Sequence, residues 1–121
     1  SALTSESSRA SISRRWFRIL NRRSLMAQYV MLLNWTDQGV KAAKDTIKRA
    51  AAARQAFEKA GARIRELVWT MGPYDAVAWA EAPNDETISA IGLQLGALGN
   101  VRSCTLRAYD EREMEQIIKK I

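Results

Sequence analysis

Histidine is absent from all 121 residues, and cysteine occurs once, at Cys104. The first absence removes Ser-His-Asp and Cys-His nucleophilic sites, His-based zinc or iron ligation and a proximal-His haem. The second rules out an intramolecular disulfide and thiolate metal clusters, and a lone thiol suits a reducing cytoplasm. Neither metal nor cofactor is expected. No run approaches the ~20 consecutive apolar residues of a membrane span; the longest, Tyr29–Leu33, has the length of a strand. With only two prolines and six glycines, breaks between elements are few and easy to place.

Apolar residues make up 47% of the chain and charged residues 26%, an ordinary globular balance for one domain. The charge is unevenly placed. Residues 1–26 hold six arginines and one acid, Glu6, for a net +5, whereas residues 27–121 hold 13 Lys/Arg against 12 Asp/Glu, for a net +1. Binding to nucleic acid or another anionic surface is therefore an expectation for residues 1–26 alone.

Within that segment, Ser1–Ser8 is polar and aperiodic. Ile12, Trp16, Ile19 and Leu20 then recur at helical spacing among arginines, which predicts a short basic amphipathic helix. Three readings stay open: a docking arm, an organelle-targeting segment, or an artefact of a start upstream of Met26.

Residues 27–121 scan as one domain. Gln28–Trp35 is a continuously apolar strand; Thr36 and Asp37 open a long helix carrying Val40, Ala43, Ile47, Ala50, Ala51 and Phe57, which stops near Ala60 at Gly61. Arg63–Met71 and Tyr74–Ala82 form a hairpin about Gly72–Pro73. Pro83–Asp85 starts a helix with Ile88, Ile91, Leu95 and Leu98 inward, Val101–Tyr109 is the fourth strand, and Asp110 caps a terminal helix with Met114, Ile117, Ile118 and Ile121 on one face. The order β-α-β-β-α-β is the ferredoxin-like motif: an α+β fold, a four-stranded antiparallel sheet with one helix appended.

The strands lack the polar-out alternation of a sheet with one wet face. Leaving ~400 Å² of apolar sheet bare forgoes on the order of 10 kcal/mol of burial. The expectation is a homodimer or larger oligomer paired through the sheet face; a terminal helix folded over that face is the alternative.

Several segments carry a specific resemblance: Asn34-Trp35-Thr36-Asp37-Gln38-Gly39, Trp69-Thr70-Met71-Gly72-Pro73-Tyr74-Asp75, Glu81-Ala82-Pro83, Gly96-Ala97-Leu98-Gly99-Asn100-Val101-Arg102 and Thr105-Leu106-Arg107-Ala108. In this order and spacing the chain resembles the GYD family of small bacterial and archaeal proteins. Pro73 fills a slot that usually holds another residue, and it suits position i+1 of a turn. Residues 1–26 have no counterpart. The resemblance implies the dimeric α/β-barrel superfamily, in which two ferredoxin-like sheets pair and whose members include cofactor-free enzymes, haem enzymes and ligand-sensing modules. It implies no particular activity.

The candidate site residues are Asn34, Trp35, Trp69, Tyr74, Asp75 and Arg107. Asp75 could act as a base or bond local backbone N–H groups; Tyr74 could donate to a substrate or simply pack. Asn34 suits a pocket lining, whereas Thr36 or Asp37 suits a helix cap. Trp35, Trp69 and Trp79 could wall a pocket or serve as core anchors. Arg107 could bind an anionic ligand or pair with Asp75 or Glu81. Three functions follow: an oligomeric small-molecule binding or sensing module, a cofactor-independent enzyme working from the sheet face, or a structural assembly subunit. Without histidine, Asp and Tyr would have to work far from their reference pKa values, which disfavours the enzyme.

Overall fold

A computed structural model describes residues 26–121. The expected basic helix lies outside the described residues. Strand β1 (Ala27–Trp35) is followed by a short helix α1 (Asp37–Lys41), a 3₁₀ turn (Ala43–Asp45) and helix α2 (Thr46–Lys59). Strands β2 (Arg63–Trp69) and β3 (Ala76–Ala82), helix α3 (Asp85–Ala97), strand β4 (Val101–Ala108) and helix α4 (Glu111–Ile118) complete the chain. The four strands form one antiparallel sheet in the order β2-β3-β1-β4. The architecture is α+β and ferredoxin-like.

The continuous apolarity of β1 follows from its place at the centre, between β3 and β4. One parity, Tyr29 and Met31, is almost fully buried and packs with Phe57 of α2 and with Ile88 and Ile91 of α3. The other parity, Val30 and Leu32, falls on the opposite side of the sheet. There Val30 stands in a row with Trp79 and Leu106, and Leu32 in a row with Val77 and Cys104. Leu106 and Val68 on this side are about half exposed. Beneath the helices, β3 presents an unbroken stripe of buried alanines: Ala76, Ala78, Ala80 and Ala82.

The long helix expected over residues 37–60 is broken. Thr36 caps α1 by accepting from the Gly39 N–H, and the chain then leaves helical geometry at Ala42 (φ −105°, ψ 31°). The interruption is held by Arg49, whose guanidinium donates to the carbonyls of Ala42 (2.7 Å) and Gly39 (3.2 Å). Those carbonyls thereby find partners where regular helix bonding stops. The break also resets the helical phase. Val40, Ile47 and Ala51, expected on the inward face, are exposed, while Phe57 is buried and Ala50, Ala53 and Ala56 face the sheet across a cleft.

Gly39 is dictated by proximity. A Cβ on it would lie 2.0 Å from the Asn100 carbonyl oxygen, the same oxygen that accepts from the Thr36 N–H (3.1 Å). The Thr36 hydroxyl also donates to the Gly99 carbonyl (2.5 Å), so the start of α1 is sewn to the loop before β4.

The hairpin strands are shorter than expected. β2 ends at Trp69 and β3 begins at Ala76, because Thr70 donates its N–H to the Asp75 carbonyl and its hydroxyl to the Tyr74 carbonyl, closing a loop in which Gly72 takes φ +100°. β4 likewise stops at Ala108, before Tyr109. Asn84 caps α3, and Asp110 with Glu113 forms a reciprocal capping box on α4. Leu98, expected inward on α3, lies just past its end and is largely exposed.

Candidate functional site

Small residues on two facing elements leave space between them. Ala76 and Ala78 of β3 line one cleft together with Ala50, Ala53 and Ala56 of α2. The result is a cleft of about 200 Å³ between sheet and helices, lined also by Met31, Leu33, Leu67, Phe57, Ile64 and Leu95. Trp35 and Trp69 line one end with Thr46, Arg49, Asp75 and Asn100. The Trp69 indole donates to the Thr46 hydroxyl at 3.0 Å, bridging edge strand and helix across the opening. Arg49 and Asp75 are the charged residues in the lining.

Asp75 is held firmly. Its backbone N–H donates to the Leu33 carbonyl and its Oδ2 accepts from the Trp35 N–H, both at 2.9 Å. The carboxylate therefore terminates the β1–β3 ladder with a side chain in place of a backbone group.

The sequence candidates separate. Trp35, Trp69 and Asp75 meet at the cleft. Asn34 pairs with Arg102 in the ladder and belongs to the opposite parity from Trp35, hence to the other sheet side. Tyr74 sits in the β2–β3 loop, outside the lining. Trp79 is on the far side of the sheet, donating to Gln28 Oε1 at 2.9 Å. Arg107 stands at the opposite end of β4 and pairs with Glu113 of α4 at 3.0 Å, stacked over Tyr109 (4.7 Å) and Tyr29 (5.7 Å).

The expected pairing of Arg107 with Asp75 or Glu81 is thus replaced. Arg107 shares a register row and parity with Tyr29, whereas Glu81 has the alternate parity and binds Arg65 at 3.1 Å, and Asp75 lies at the far end of the sheet. Above the same end, the Tyr29 hydroxyl donates to Asp85 Oδ1 at 2.6 Å. Burial, the Asp85 hydrogen bond and its charge push the Tyr29 phenol up to about 12, against a smaller opposing pull from Arg107.

Sequence reasoning missed Arg49, Thr46 and the alanines. The available signal was the coincidence of an alternating-alanine strand with the Ala50–Ala53 run. Among the described residues no group of three or more His, Cys, Asp or Glu is placed to hold a metal ion, and no helix is long and apolar enough to cross a membrane.

The family model described as GYD domain matches residues 29–118, from the first core residue of β1 to the end of α4. No curated protein and no solved structure matches the chain.

Proposed function

The chain belongs to the GYD domain family, and we propose that it is an oligomeric module that binds or senses a small, largely apolar molecule in the cleft between sheet and helices. The observation that carries this reading is the alanine-on-alanine cleft itself. Void space that larger side chains would fill costs stability, so an open apolar cleft in so small a domain calls for an occupant. Cofactor-independent catalysis would rest on Asp75, a lining residue of the cleft; the fixed bond of its carboxylate to the Trp35 N–H suits support of the wall better than proton traffic.

The oligomer is proposed on two apolar surfaces that are half-buried to exposed among the described residues. One is the sheet side bearing Val30, Leu32, Val77, Trp79 and Leu106. The other is α4, whose Met114, Ile117 and Ile118 are exposed. Pairing two copies through the sheet side would remove such surface from water. The exposed lone thiol of Cys104 in that patch fits a reducing cytoplasm.

Native mass spectrometry of the full chain tests both parts. A dimer or larger species that retains, or takes up, a small apolar molecule is expected. A monomer at micromolar concentration that takes up none would overturn the reading.

A further inference from the structure

Arg49 is a cation that lines an apolar cleft and forms no ion pair among the described residues. The two ion pairs among the described residues are Arg65–Glu81 and Arg107–Glu113. Asp75 lines the same cleft, yet its carboxylate and the Arg49 guanidinium are not within 4.0 Å of each other. A guanidinium carries five N–H donors. Arg49 spends two, one on each terminal nitrogen, on the Ala42 and Gly39 carbonyls. Those two bonds fix the plane of the group, and three donors are left without a bonded acceptor among the described residues.

Building on the binding reading above, we infer that the cleft takes a single-ring aromatic carboxylate, with Arg49 as the group that recognises its anionic end. Size sets the ring count. A cavity of ~150 Å³ holds one benzene, so the cleft of about 200 Å³ matches one ring with a short side chain. Trp35 and Trp69 supply flat apolar walls for the ring. The guanidinium, already held in plane, presents the fork geometry that suits a carboxylate. Asp75 repels an anion, so the carboxylate goes to Arg49 and the neutral ring lies against the apolar lining and the Trp35 and Trp69 walls.

The test is calorimetric titration of the full-length protein with phenylacetate, phenylacetamide and toluene, backed by Trp fluorescence. Phenylacetate is expected to bind at least tenfold more tightly than phenylacetamide. Arg49→Gln should abolish that preference, and Arg49→Lys should restore part of it. Because Arg49 also secures the α1–α2 junction, circular dichroism of each variant accompanies the titration, and the wild-type comparison stands without any variant. Equal or tighter binding of phenylacetamide or toluene to the wild type would overturn the carboxylate assignment and leave the apolar cleft as a binding site. Failure of all three probes to bind would overturn the carboxylate assignment. If in addition Ala53→Phe, which fills the cleft, leaves the ligand content of the purified protein unchanged, the binding reading falls as well.

Discussion

The Tyr29 hydroxyl donates to Asp85 Oδ1 across 2.6 Å, tying the central strand to the first turn of α3. The neutral phenol is the form this environment favours, and the Tyr29 pKa rises from 10.0 to about 12. Its contribution to stability is therefore complete below pH 10 and is lost as the pH climbs from 10 toward 12. Urea unfolding of wild type and Tyr29→Phe at pH 8 and pH 11.5 checks this. The variant is expected to be less stable at pH 8 by about 1–3 kcal/mol, with the gap narrowing at the higher pH. A gap independent of pH would contradict the assignment.

Gly39→Ala should be among the most damaging single-methyl changes in the domain. The added carbon would meet a backbone carbonyl that already accepts the Thr36 N–H, so α1 must lift from the β4 loop. A loss of about 1–3 kcal/mol is expected from the overpacking, read as a lower urea midpoint. Hydrogen exchange should quicken at Thr36 and Gly39 ahead of the sheet.

These two positions show what could and could not be read from the chain. The strands and their order were legible because Gly61, Gly72–Pro73 and Gly99–Asn100 punctuate apolar runs of strand or helix length. The break in the first helix was not. Ala42–Lys44 contains neither proline nor glycine, and the interruption is compensated by Arg49, a residue that looks like any solvated cation on a helix. The cleft was illegible for a related reason. An alanine reads as a generic small apolar residue, and only the pairing of Ala76 and Ala78 with Ala50, Ala53 and Ala56 turns smallness into space. Trp35, Trp69 and Asp75 lie in separate stretches of sequence and line the same cleft in the fold. Tyr74, adjacent to Asp75, lies outside the lining, in the loop closed by Thr70 before β3 begins at Ala76.

Filling the cleft separates packing from binding. Ala53→Phe places a ring where wild type has space, and its stability is expected to change by less than about 1.5 kcal/mol because the volume is already available. Retention of small molecules in native mass spectra should disappear. A loss of several kcal/mol would mean that the cleft cannot admit a ring.

The proposed sheet-side interface predicts a different response. Leu106→Glu and Trp79→Glu place a charge in the apolar row of the sheet side, at a half-exposed and a half-buried position, while leaving the helix-side core untouched. Light scattering is expected to show a smaller species for both variants, with circular dichroism little changed. An unaltered mass would direct attention to α4, where Ile117→Glu is the matching variant.

The central position of β1 has a consequence for how the protein is made. Its Tyr29–Leu33 stretch leaves the ribosome before either of its partner strands, since β3 follows only after α1, α2 and β2, and its β4 partner for Met31 is Thr105. Until that late strand is synthesised, the most apolar segment of the domain has an open hydrogen-bonding edge. Pairing between such distant segments is slow, and nascent chains in this condition are exposed to aggregation. Expression yield should therefore depend on chaperone supply and on the pace of translation more steeply than the stability of the finished fold suggests.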